Sequence, residues 1–117
     1  MEFDHLREYC LNKKQTTESF PFGEDTLVFK VAGKMFALVD VASAHSVNLK
    51  CNPEKALELR AQFPEDVLPG YHMNKKHWNT VLLQSRVTNA EIEQLIDHSY
   101  NLIVNSLSKK IRIELGL

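Results

Sequence analysis

The segment "TLVFKVAGKMFALVDV", residues 26–41, decides the fold class of this 117-residue chain. Leu27, Phe29 and Val31 alternate with Val28, Lys30 and Ala32, the period-two pattern of a strand with one face buried. "AGK" (residues 32–34) turns the chain, and Met35, Ala37 and Val39 continue the alternation, so the segment predicts a β-hairpin. "SVNLKC", residues 46–51, alternates again, with Val47, Leu49 and Cys51 on one face and Ser46, Asn48 and Lys50 on the other. Three successive strands with hairpin-like connections imply an antiparallel sheet.

The flanks supply helices. Upstream, Phe3, Leu6 and Cys10 share one helical face over residues 2–13, with acids early and Lys13 and Lys14 late, as the helix dipole favours. "FPFGED", residues 20–25, is punctuated by Pro21 and Gly23 and predicts a loop with two phenylalanines to bury. Downstream, Asn52-Pro53-Glu54 is a helix start: asparagine caps, proline suits the first helical position, and the acid favours the positive end. That helix uses Ala56, Leu59 and Phe63 and stops at Pro64. "PEDVLPG" (64–70) predicts a loop, then "YHMN" (71–74) and "WNTVLLQ" (78–84) predict strands around "KKH" (75–77). Thr88 with Glu91 is a capping box, followed by a stripe of Ile92, Leu95, Ile96, Ser99, Leu102, Ile103 and Leu107. The tail "IRIEL" (111–115) fits either a strand or continued helical spacing. The expected order is α-β-β-β-α-β-β-α, a single α+β domain over residues 1–117: an antiparallel sheet with helices packed on one face.

A chain of this length can bury roughly two thirds of its unfolded surface and needs no covalent staples. With 44% hydrophobic and 25% charged residues its composition is that of a globular domain. Net charge is −1, so any attraction to nucleic acid has to be local. Cys10 and Cys51 form no paired motif and are expected as small buried hydrophobes, which excludes a structural zinc site and a disulfide framework. The start "MEFDHLREYC" lacks the basic flank and apolar core of a signal peptide, and no apolar run approaches the ~20 residues of a membrane span. A cytoplasmic protein without membrane contact is expected.

Four blocks, "FPFGEDTLVFKVAGKMFAL", "LKCNPEKALELR", "PGYHMNKKHWNTVLL" and "LIDHSYNLIVNSL", resemble in content and order the MmcQ/YjbR family of small bacterial proteins. The resemblance spans about residues 17 to 107 and leaves out the tail. It implies a fold similar to frataxin-like and secretion-chaperone-like α/β sandwiches, and a DNA-binding role through a double-wing motif. It brings no reaction and no cofactor. Positions that carry the family pattern include Phe29, Gly33, Lys34, Phe36, Pro53, Gly70, His72, Lys75, His77, Trp78, Ser99 and Tyr100.

The residues themselves give the binding expectation a location. Residues 26–52 hold Lys30, Lys34 and Lys50 against Asp40, and residues 70–88 hold Lys75, Lys76 and Arg86 with no acid. Acids concentrate in the helices. Alternation puts Lys30, Asn48 and Lys50 on the sheet face turned away from the helices, where lysines can meet phosphates. The candidate nucleic-acid set is therefore Lys30, Lys34, Lys50, Lys75, Lys76 and Arg86 for phosphates, with His77 and Trp78 flanking or stacking. The alternative is a protein-interaction or chaperone-like module.

"GYHMNKKHW", residues 70–78, is the densest run of reactive side chains. Two histidines five apart with two lysines between them repel a cation and lack further ligands, so no metal is expected. Adjacent His98 and Ser99 point apart on a helix and cannot form a catalytic pair. Glycine-rich phosphate loops are absent, so no enzyme activity and no cofactor are expected. Gly70 is expected to free the chain's entry into this turn, and Trp78 to anchor it to the core.

Overall fold

A computed structural model describes all of residues 1–117. Ten elements follow in the order α1 (Phe3–Leu11), β1 (Thr16–Ser19), β2 (Thr26–Val31), β3 (Lys34–Asp40), β4 (Ser46–Lys50), α2 (Pro53–Gln62), β5 (Val67–Pro69), β6 (Trp78–Leu82), α3 (Asn89–Ser106) and α4 (Lys109–Leu115). The strands form one antiparallel sheet in the order β1-β2-β3-β4-β6-β5. One face is covered by helices, so the α+β class read from the hairpin holds.

Three elements differ from the expected order, each for a local reason. β1 forms from "TTES", which has no apolar alternation; as an edge strand it needs no second buried face, and it pairs with β2 from Thr16↔Val31 to Ser19↔Val28. The strand preceding β6 is Val67–Pro69 and not Tyr71–Asn74. Val67 pairs with Val81 and Pro69 sits where an edge strand tolerates proline, whereas His72 takes a left-handed φ of 60° that ends any strand. The tail is helix α4, with Ser108 accepting from the Ile111 N–H at 3.2 Å and Gly116 closing it at φ 71°.

The β2–β3 turn is built from Ala32 and Gly33, both at positive φ, as a two-residue hairpin requires. A bulge then interrupts the alternation: Phe29 pairs with Ala37 but Lys30 pairs with Met35. Phe36 is the extra residue, so Phe36 and Ala37 both join the main core and Met35 turns to the opposite face. The reading that Met35 shares a face with Ala37 and Val39 is corrected by this bulge.

The main core lies between the sheet and α1–α3. Leu27, Phe29, Val31, Val39, Val47, Leu49 and Val81 meet Leu6 and Cys10 of α1 and Ile92, Leu95, Ile96, Tyr100 and Ile103 of α3, with Leu59 and Phe63 packed alongside. Ser99 lies within this core and makes two bonds. Its hydroxyl donates to the Phe36 carbonyl at 2.6 Å and accepts from the Lys50 N–H at 2.9 Å. The β3–β4 ladder ends at Ala37↔Leu49, beside the bulge, and Ser99 satisfies the two backbone groups left open there. Tyr100 packs edge-on against Phe36 and donates to the Lys14 carbonyl at 2.6 Å. Trp78 is buried on the opposite face, in a second cluster with Val28 and Leu38 against Met35 and Met73. It anchors its turn to the outside of the sheet and not, as expected, to the main core.

Candidate functional site

The uncovered sheet face carries the features available for binding. β2 and β4 end, and β3 and β6 begin, at one end of the antiparallel sheet. That topology gathers Lys30, Lys34, Lys50, Lys75, Lys76, His77 and Trp78 from four separate segments. Lys30 and Lys50 face outward, opposite Met35 and Trp78 respectively. Lys34 turns toward the helices, its ammonium 3.4 Å from the Ser106 hydroxyl. Lys75 donates to the Gly70 carbonyl at 3.1 Å, while Lys76 is exposed. His77 is partly buried, and its carbonyl accepts from the Cys51 N–H at 2.7 Å. Arg86 is not with them. It follows β6 at the other end, where its N–H meets Asp66 at 3.4 Å beside Glu65.

The opposite end is acidic. Residues 20–26 and 40–46 hold Glu24, Asp25 and Asp40 and no lysine or arginine. Between the two ends lies a groove of about 400 Å³. Its floor is Met35 and Leu38, its flanks are Phe22 and the segment Tyr71–Met73, and Thr26, Asp40, Ser46 and Asn48 supply polar atoms. Phe22 and Tyr71 are 65% and 68% exposed, so neither residue is buried in the core. The volume and the apolar lining with a few polar groups are those of a small-molecule site.

Hydrogen bonds fold the 70–77 loop back over the sheet to make this flank. Asn48 Nδ2 donates to the Tyr71 carbonyl at 3.1 Å, the Tyr71 N–H donates to Thr80 Oγ1 at 2.9 Å, and Thr80 donates to Asn48 Oδ1 at 2.5 Å. The Tyr71 and His72 rings are in tilted contact, with centroids 4.0 Å apart and planes at 51°. Beneath the loop, Arg60 of α2 donates to Asn79 Oδ1 at 2.7 Å and to the carbonyls of Lys75 and Trp78. Gly70 serves close approach and not backbone freedom: its φ is not left-handed, and a Cβ there would fall 2.7 Å from the Trp78 Cβ and 2.9 Å from its carbonyl oxygen. Asp40 is held by its own turn, accepting from the Ala42 N–H at 3.1 Å and the Ser43 hydroxyl at 2.8 Å.

No three His, Cys, Asp or Glu side chains converge as metal ligands. Burial pushes the Cys10 thiol up to about 12 and raises that of Cys51, which keeps both in the un-nucleophilic thiol form. His98 accepts from the Asn52 N–H at 3.1 Å, and burial lowers its pKa. No helix is long and apolar enough to cross a membrane. Of the residues that shape the face, Phe22, Asp40, Tyr71, Met73 and Arg60 carry no motif. The only signals are the two phenylalanines of the 20–25 loop, expected to be buried but 51% and 65% exposed, and the aromatic density of 70–78.

A family model described as YjbR matches residues 11–102. The YjbR protein of Escherichia coli K12 is 36% identical over 113 residues, 96% of this chain and 95% of its own length. The YbdF protein of Escherichia coli O157:H7 is 41% identical over 92 residues, 78% of this chain and 75% of its own length. Both are described as uncharacterized. The crystal structure of Deinococcus radiodurans DR2400, of domain family DUF419, is similar at a TM-score of 0.95 and 40% identity, over 99% of this chain and 88% of that one. A Pseudomonas syringae crystal structure is similar at a TM-score of 0.73 and 30% identity, over 87% of this chain and 98% of that one.

Proposed function

The chain belongs to the YjbR family, and from that premise we propose that it is a non-enzymatic nucleic-acid-binding module, with DNA as its ligand, that works through the basic end of its sheet. The observation that carries the reading is the convergence of Lys30, Lys50, Lys75 and Lys76 on one end from segments far apart in sequence. Ammonium groups so spread contact phosphates and do not read base edges, so binding is tolerant of sequence and sensitive to salt. The one helix with a basic excess, α4 with Lys109, Lys110 and Arg112 against Glu114, is only seven residues long, so the sheet end and its 74–77 turn are taken as the contact surface. Arg86, beside Asp66 at the far end, stands outside it.

Fluorescence anisotropy with labelled single- and double-stranded oligonucleotides at low salt tests this. Micromolar binding is expected, weakened at least tenfold when Lys75→Glu is combined with Lys76→Glu. Binding no tighter than millimolar, or unchanged by that pair, refutes it.

A second reading, a protein-interaction module, is favoured by the exposed Phe22 and Tyr71 at the groove, with Phe20 and Leu68 also exposed. It predicts self-association or a co-purifying protein. A strict monomer by light scattering with no companion counts against it.

A further inference from the structure

We propose that the groove on the uncovered sheet face is a binding site for a small organic cation: an ammonium group on an aromatic or aliphatic body. This is separate from the nucleic-acid reading, because the groove's polar end lies at the acidic end of the sheet and the lysines lie at the other.

The lining decides the charge of the ligand. Asp40 is the one carboxylate among the groove residues, and no lysine or arginine is among them. Glu24 and Asp25 lie in the adjoining loop. An anion entering here would meet the Asp40 carboxylate, with the His72 imidazole as the one basic side chain in the lining; a cation meets its complement at Asp40. Asp40 is presented ready for this role. Its own turn holds both oxygens with one bond each, and a carboxylate oxygen can accept more than one.

The remaining lining suits the same ligand. Phe22 and Tyr71, the latter in ring contact with His72, border the groove while mostly exposed, so aromatic surface is available to a cation. The thioethers of Met35 and Met73 and the side chain of Leu38 give a soft apolar floor for the ligand's body. Lys30 pairs with Met35 at the far end of the floor, so the ammonium belongs at the Asp40 end and the ligand's apolar body toward Lys30. Thr26 is paired with Asp40, and Lys30 lies four residues further along β2, about 13 Å away at strand rise. That exceeds the Debye length of about 8 Å at physiological salt.

The flank is also held in place before any ligand arrives. Asn48 and Thr80 fix the Tyr71 backbone, and His72 stays in a left-handed conformation unfavourable for a residue with a Cβ. A loop held this firmly against its backbone preference costs little further ordering on binding.

The test uses the chain's three methionines, Met1, Met35 and Met73. With 13C-methyl methionine, phenethylammonium chloride is titrated against 2-phenylethanol and phenylacetate, its neutral and anionic counterparts. Saturable shifts of the Met35 and Met73 methyls with Met1 unmoved are expected for the ammonium. Affinity is expected to be about fivefold to tenfold weaker for the alcohol, with none measurable for the acid. Asp40→Asn, which keeps an acceptor for the turn, is expected to remove the ammonium's advantage, and Tyr71→Ala to weaken it about fivefold. Equal binding of ammonium and alcohol, an unchanged preference in Asp40→Asn, or no shift at Met35 and Met73 overturns the proposal. None of these outcomes bears on oligonucleotide binding, which is measured on its own.

Discussion

Replacing Ser99 by alanine removes one oxygen from the centre of the main core and tests how the bulged sheet is held together. That oxygen serves the Phe36 carbonyl at 2.6 Å and the Lys50 N–H at 2.9 Å, both on the sheet. Ser99 is fully buried, and deletion of a single oxygen leaves less room than a water needs. Both backbone groups then lose their partner. A buried unsatisfied group costs about 1–3 kcal/mol, so the expected loss is about 3 kcal/mol. Against a total stability of about 5–15 kcal/mol that is a large fraction. At roughly 4 °C per kcal/mol for a domain of this size, the melting temperature falls by about 12 °C. Urea unfolding followed by circular dichroism measures the loss directly. Ser106→Ala is the control: its hydroxyl bonds the Ile103 carbonyl within the last turn of α3, at an exposed residue, and a change of about 0.5 kcal/mol or less is expected. A loss below about 1 kcal/mol in Ser99→Ala refutes the claim that this hydroxyl closes the gap beside the bulge.

Other consequences follow from single side chains. Gly70→Ala forces a Cβ to within 2.7 Å of Trp78 and is expected to cost about 1–3 kcal/mol in urea unfolding; a neutral effect contradicts the close-approach role. His98 is held neutral in the folded state, with its pKa lowered from 6.5 by burial and by Lys55. Its contribution is therefore complete above pH 6.5 and is lost as pH falls through 6.5 toward the folded-state value, so His98→Gln is expected to flatten the urea midpoint between pH 7.5 and 5; an unchanged pH slope refutes this. Cys10, buried with its thiol pushed up to about 12, is expected to resist iodoacetamide at pH 8 until the chain is unfolded, and rapid alkylation of native protein contradicts that burial.

The sheet was legible where alternation is uninterrupted. Leu27, Phe29 and Val31 in β2, and Val47 and Leu49 in β4, lie on the helix-facing side as their spacing predicts. The caps of α2 and α3 were legible too, because Asn52 and Thr88 act through local geometry: Asn52 accepts from two N–H groups, and Thr88 completes its box with Glu91. The bulge at Phe36 was not, since it depends on the register against β2 and on Ser99, which lies far along the chain. The polar strand β1 and the three-residue β5 carry too few apolar positions for a period to register. For the binding face, the local charge excess identified the lysines. Only topology separates Arg86 from them, and only the folded-back loop brings Tyr71 toward Phe22 and Asp40. A groove assembled from residues 22, 40 and 71 has no spacing to recognise.

The central claim is that a basic sheet end, and not the whole neutral chain, contacts a phosphate backbone. The salt dependence of oligonucleotide affinity tests it most directly. With four lysines engaged on a single strand, the slope of log K against log salt is expected near −3, a loss of roughly 50-fold between 50 and 200 mM. Lys30→Glu with Lys50→Glu is expected to flatten that slope by about half, while Arg86→Glu leaves it unchanged. A slope near zero, or one that responds to Arg86 and not to Lys30 and Lys50, contradicts the account.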